Sequence, residues 1–386
     1  MRILISGASV AGPLTAYWLS RYGHAVTVVE KAPELRKAGG HAVDLFSPAV
    51  EIARRTGVLD QIKDRRTHVD LLSFRRPGDP RPAELRTDRL IGDHVEIMRD
   101  DLSEILYEAG RDHVDYVFGD SIAAVDGRSV TFEKRPPEEF DLVIGADGLH
   151  SNVRRLVFGP VPDHWIGAYI AVMTLTDHPG PPGRVDGVVD VNRMAAIYHD
   201  PANARGLFLF RTPAPVDYHH RDVERQKSLV RDHFADLGHE VPWLLDRLGT
   251  TPAFYFDAVT QLRMDTWSKG RVTLVGDAGY CPGPAVGGST SLAMVGAYVL
   301  AGELSRFADP AHAFASYEGE LAEYVRRSRT FAIGAARRLV PGSERALRTT
   351  VYGTRLLNRL PGPLVRLLTA SSVGSRVHTS YRLKDY

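Results

Sequence analysis

Apolar residues recur along this chain in two rhythms, and the switches between them mark its elements. "RILIS" (Arg2 to Ser6) contains an apolar run of strand length, and Leu14, Trp18 and Leu19 then recur at helical spacing. "HAVTVVE" (His24 to Glu30) is a second strand-like run. Far downstream, "RVTLV" begins a third unit, in which a strand meets a Pro- and Gly-rich turn and a long small-residue helix ending near Leu304. Between these, "GAYIAVMTL", "GVVDVNRMAAIYH" and "RGLFLFRT" alternate with period two, which predicts antiparallel strands. "RDVERQKSLVRDHFADL" reads as a helix and "DAVTQLRM" as a returning strand. Beyond residue 306, breaks at "VPGS" and "LPGP" divide the tail into helices.

The turn after the first strand, "GASVAG", decides what that unit is for. Strand, glycine turn, helix, strand and terminal acid form the order of a dinucleotide site. Gly7 permits the tight turn and Gly12 close packing of helix on sheet, while Ser9, Val10 and Ala11 leave the helix N-terminus open to a pyrophosphate. Serine replaces the middle glycine at position 9. Glu30, followed by Lys31, stands where a carboxylate takes ribose hydroxyls and argues against a 2′-phosphate. NAD and FAD are both open on this turn alone.

Three distant segments favour FAD. "GGHAVDL" (Gly39 to Leu45), preceded by Arg36 and Lys37, offers close backbone at Gly40 and polar groups at His41 and Asp44. "EIMRDDL" places Arg99 before a helix. In "GDAGYCPGPAVGGS", Gly276 and Asp277 can fix ribityl hydroxyls, and Pro284, Gly287, Gly288 and Ser289 open a helix N-terminus toward a flat ring. With "DLVIGADGLHSNVRR", which carries Asp147 and Gly148, these pieces resemble the single-component FAD-dependent aromatic hydroxylases of the para-hydroxybenzoate hydroxylase type. "GGHAVDL" and "MRDDL" look nearest to tetracycline-inactivating and antibiotic-tailoring monooxygenases. The chain departs from the family pattern at Ser9, at Tyr280 (commonly histidine) and at Gly287-Gly288-Ser289 (often Gly-Gln-Gly).

The resemblance implies an α/β fold: a Rossmann-like FAD-binding domain, an interleaved antiparallel-sheet substrate domain and a C-terminal helical segment. The expected FAD-binding residues are 1–70, 95–160 and 270–305, with 71–94 and 161–269 forming the substrate domain and 306–386 the bridging helices. It also implies that NADPH or NADH visits transiently to reduce FAD, and that O2 forms a C4a-hydroperoxide which hydroxylates an aromatic or polycyclic small molecule. Tyr198 and His199 are the catalytic candidates, with His41 a further candidate base; Tyr169, Val172, Met173, Phe208, Phe210, Phe256 and Gln261 are expected around the substrate. The rival within this scaffold is a non-redox cyclase that keeps FAD bound. A flavin halogenase is disfavoured because Trp18, Trp165, Trp243 and Trp267 never stand two apart.

Composition narrows the partners. A chain of 386 residues exceeds one common domain of about 100–200 residues. Its net charge of +1 gives no field to gather nucleic acid. Ten arginines against Glu344 between Val325 and Leu367 are read as the wet faces of packed helices, not as a nucleic-acid or membrane surface. The single cysteine, Cys281, permits no internal disulfide, histidine spacing suggests no metal, and no apolar leader or run of about 18 apolar residues occurs. A cytoplasmic monomer or weak dimer is expected.

Overall fold

The computed structural model describes residues 1–35, 39–87, 94–177, 180–200, 204–284, 288–361, 364–365 and 381–386. Arg36 and Gly287 lie outside the described residues.

Arg2–Ser6 is an inner strand of a six-stranded sheet, pairing in parallel with Leu142–Gly145 on one side and Ala25–Glu30 on the other. Val272–Leu274 and Asp115–Phe118 extend the sheet in parallel, and Ser268–Lys269 closes one edge antiparallel. Both faces of a parallel sheet are covered, which is why "ILIS" and "LVIG" are continuous apolar runs without alternation. Ile3, Leu4, Ile5 and Ile144 have no exposed surface.

A seven-stranded sheet carries the alternating segments. Its order is Phe254–Leu262, Asp163–Thr174, Arg205–Arg211, Arg193–His199, Arg184–Asp190, Leu71–Arg76 and Asp79–Arg86. All its pairs are antiparallel except Arg184–Asp190 with Leu71–Arg76. The stretch "GVVDVNRMAAIYH", read as one strand, is two strands joined by a tight turn at Val191 and Asn192. Asn192 adopts φ 64°, a left-handed conformation that asparagine tolerates, and period-two alternation continues across it in sequence. A small two-stranded sheet, Ala42–Leu45 against Val95–Met98, sits between the large ones in the chain order of the fold.

The tail forms the helices Pro310–Leu339 and Glu344–Arg359. Along the 30-residue helix, Phe314, Tyr317 and Leu321 pack into the core of the parallel sheet, whereas Ala332, Ala335 and Ala336 pack against the large antiparallel sheet. One helix therefore spans both bodies. Among the tail's arginines, Arg326 and Arg327 pair with Glu323, Arg348 with Glu344, and Arg355 with Asp79, whereas Arg329 is half-buried with no ion pair among the described residues.

Candidate functional site

The opening turn is built as its glycines require. Gly7 has φ 106°, and a Cβ there would stand 2.6 Å from the Ala146 carbonyl oxygen. A Cβ on Gly12 would lie 1.9 Å from the carbonyl oxygen of Gly7. The helix Ala11–Arg21 begins here, its first turn buried at Val10, Ala11 and Gly12, and no side chain caps its N-terminus. An uncapped N-terminus leaves N–H groups for an anion. Ser9 is exposed, its hydroxyl 3.3 Å from that of Ser103. The Glu30 carboxylate accepts from the Ala8 N–H at 2.8 Å and the Ala32 N–H at 2.9 Å, so it also shapes the rim; Lys31 is exposed.

The second glycine turn stands beside the first on the parallel sheet. Gly276 takes φ 68°, and half-buried Asp277 follows at the start of a short helix. Burial raises the Asp277 carboxyl above its ordinary range, while the Ser289 hydroxyl, donating at 2.6 Å, and Arg99 oppose the rise. Gly288, at φ 88°, leads into the helix Ser289–Arg306, which also lacks a side-chain cap, and Pro284 is buried just before. Arg99 is half-buried and forms no ion pair with a described residue, yet its charge acts on His41, Tyr255 and Asp277. A guanidinium with no ion pair among the described residues, beside two open helix ends, suits a pyrophosphate and ribityl chain.

Other expected residues turn out differently occupied. Asp147 caps a helix: its carboxylate accepts from Ser151 at 2.5 Å, the Asn152 N–H at 2.8 Å and the Val153 N–H at 3.1 Å. Gly40 donates to Asp100 at 2.8 Å and accepts from Arg205 at 3.1 Å, leaving neither backbone group idle. Tyr280 is fully buried behind the turn, its hydroxyl 3.0 Å from that of Tyr317 and its ring filling the space beside Gly296. The histidine-to-tyrosine departure thus serves the core.

A cavity of about 670 Å³ lies between the antiparallel sheet, the tail helices and the strand Ala42–Leu45. Alternation selects its wall. Val172 and Tyr198 line it with Ile170, Ala196, Leu207 and Leu209, whereas Tyr169, Met173, Phe208, Phe210 and Phe256 point to the opposite face and form a separate core. His199 is corrected for the same reason. It shares the rear face with Ile197, and its Nε2 lies 3.0 Å from the Asp186 carboxylate. Burial pushes Asp186 up, but bonds from His199 and Arg184 hold it at about 2. Gln261 is also away from the cavity, donating to the carbonyls of Pro282 and Arg329.

One end of the cavity is acidic. Asp44 and Glu96 are direct partners across antiparallel strands, and His94 and Tyr198 join them in the wall. Burial and then Asp44 push Glu96 up to about 7, against the Thr67 hydroxyl that donates to it. Burial raises Asp44 too, opposed by His94 at 4.0 Å. The Tyr198 phenol is pushed well up by burial and by both acids. His41, half-buried at the same wall, is lowered to about 3 by burial and Arg99, and its Nδ1 has no hydrogen-bond partner among the described residues. Glu96 was missed from sequence; its signal was a charged residue inside the otherwise apolar strand "VEIM".

The model of the family described as FAD binding domain matches residues 1–332. The chain belongs to that family. It is 41% identical over 341 residues to an uncharacterized protein of Mycobacterium tuberculosis (strain ATCC 25618 / H37Rv), covering 84% of this chain and 91% of that protein. It is 38% identical over 346 residues to a flavin-dependent monooxygenase of Legionella longbeachae serogroup 1 (strain NSW150), covering 86% and 88%. Among solved structures, tetracycline destructase Tet(55) superposes with a TM-score of 0.84 at 32% identity, covering all of this chain and 98% of its own. The protein is thus an FAD-dependent monooxygenase of the aromatic hydroxylase type. The uncapped helix ends, the two crowded glycines and Arg99, which has no ion pair among the described residues, fit the FAD that this membership brings.

Proposed function

We propose that this FAD-dependent monooxygenase hydroxylates an aromatic or polycyclic small molecule with NADPH or NADH and O2, in natural-product tailoring or antibiotic inactivation. The observation carrying this reading is the 670 Å³ cavity, whose mostly aliphatic wall abuts the turn at Gly288 and Ser289. That volume suits a ligand of several fused rings. Similarity to Tet(55), a tetracycline destructase, supports a polycyclic substrate.

FAD would lie across the two turns. Gly7, Ser9, Val10, Ala11 and Gly12 would present backbone to its pyrophosphate, Glu30 its ribose, and Arg99 and Asp277 its distal half. Gly288 and Ser289 would meet the ring. When reduced, FAD supplies the activation of O2 from which one oxygen atom is transferred. The chain contributes an apolar cavity that excludes water, and Tyr198 is placed to hold a proton at the substrate.

The test is an anaerobic NADPH titration of the purified yellow protein, followed by oxygen, with tetracyclines and other polycyclic phenols as the substrate panel. Bleaching that a panel member accelerates, with an oxygenated product by mass, is expected. A flavin that stays oxidised throughout overturns the reading.

A further inference from the structure

Away from the acidic end of the cavity, a run of hydrogen-bonded groups leads from the protein surface toward the flavin side. His150 is on the loop after Leu142–Gly145, with 53% of its side chain exposed. Its Nε2 lies 2.9 Å from Oδ2 of Asp257, a carboxylate only 6% exposed. The Tyr255 hydroxyl donates to the same Oδ2 at 3.3 Å. Tyr255 pairs in register with Val172 and Asp257 with Ile170, and both partners line the cavity. The Tyr255 ring lies 6.3 Å from that of His41, also a cavity residue.

The two oxygens of Asp257 do different work. Oδ1 takes the fixed contacts, from the Ala258 N–H at 2.8 Å and the Tyr218 hydroxyl at 3.4 Å. Oδ2 joins the two groups that carry a movable proton.

We infer that His150, Asp257 and Tyr255 form a proton relay between solvent and the flavin side of the cavity; this rests on the monooxygenase reading above. Reducing O2 to water and an oxygenated product with a hydride donor consumes one proton from solvent per turnover. The relay supplies it in balance. Tyr255 gives its hydroxyl proton to the acceptor in the cavity, and its phenolate oxygen takes a proton from Asp257. Asp257 takes that proton from Nε2 of protonated His150, and the neutral ring, which keeps its Nδ1 proton, takes a new one from water at Nε2 when the exposed side chain turns outward. No group is oxidised or reduced along this path. The bond to Asp257 raises His150 above the ordinary histidine range, so it is poised to hold that proton near neutrality.

Other charges bear on the three groups. Asp163 favours protonated His150, while Arg154 opposes it and His220 stacks on it at 5.5 Å. On the inner side, Arg99 and Asp277 act on Tyr255 with opposite sign, and Cys281 is within the same reach. These are positioning and relay residues, separate from the groups placed at the substrate.

Two measurements on the full-length protein test the relay. In the flavin-free chain, histidine NMR over pH should give His150 a pKa above the ordinary value, returning toward it in Asp257→Asn. An unmoved His150 pKa in that variant overturns the relay. In the photoreduced holoenzyme mixed with oxygenated buffer, flavin reoxidation should be about tenfold slower in His150→Ala, with an altered solvent isotope effect. Imidazole in the buffer should restore the rate in His150→Ala but not in Tyr255→Phe. Wild-type rate and isotope effect in His150→Ala overturn the relay; a wild-type flavin inert to oxygen instead overturns the monooxygenase reading, and the NMR result then decides the relay's proton coupling alone.

Discussion

Asp44 and Glu96 stand directly opposite one another on antiparallel strands and face one cavity. Like charges so placed resist joint ionisation, and both carboxyls are raised, Glu96 to about 7. An acid whose folded pKa is raised keeps its proton longer in the folded chain than in the unfolded one. Stability therefore falls as pH climbs from the ordinary glutamate value toward about 7, and the loss is complete above it. Glu96→Gln should leave the melting temperature of the flavin-free protein unchanged near pH 4 and raise it at pH 8. Asp44, His94, Tyr198 and Thr67 surround the group, so equal melting shifts at both pH values would assign the effect to packing.

Gly12→Ala should damage the fold itself. Its Cβ would meet backbone, the Gly7 carbonyl oxygen at 1.9 Å, so no flexible side chain can yield. A cost of about 1–3 kcal/mol or more is expected, read as a lower melting temperature with loss of bound flavin. A variant that melts normally would show that the start of the helix yields to a methyl group without cost.

Arg99→Ala should act on the cofactor and spare the apoprotein, because Arg99 forms no ion pair within the described chain. Losing a charge-assisted hydrogen bond costs about 1.5–3 kcal/mol, or roughly 10- to 150-fold in affinity. Titrating apoprotein with FAD, and following the quenching of flavin fluorescence, measures this. Unchanged affinity would remove Arg99 from the flavin site.

Glu30→Gln separates structure from binding at the first turn. Each Glu30 oxygen now accepts from a backbone N–H, at Ala8 and at Ala32, and an amide can satisfy only one of them. The flavin-free variant should lose about 1–3 kcal/mol, visible in denaturant unfolding. Full stability without flavin would make ribose binding the sole role of this residue.

What could be read from sequence follows the distance over which each feature is determined. Gly7, Gly12 and Gly276 sit in turns whose geometry is local, and Glu30 ends the strand that follows, so a short window contained their reason. Tyr198 and His199 were indistinguishable because neighbouring strand residues face opposite ways, and only the register of the sheet says which way is in. Asp44 and Glu96 meet through a pairing between positions 52 apart in sequence. Asp257 was inside a strand that sequence did identify, but its partner His150 comes from a loop on the other sheet. Asp147 stands out in its motif, and most of its bonds lie within that segment and hold the start of a helix, while one, from the Ser6 hydroxyl at 3.4 Å, reaches back to the first strand.

The helix Pro310–Leu339 has a consequence for how the molecule comes apart. Because its first half is core to one sheet and its second half core to the other, neither sheet can lose its packing while the helix remains whole. Heating should therefore give one cooperative melting event for both bodies. Gly334 in the middle of the second half would be the place to break that coupling: Gly334→Pro should divide the single transition into two, the cavity side failing first.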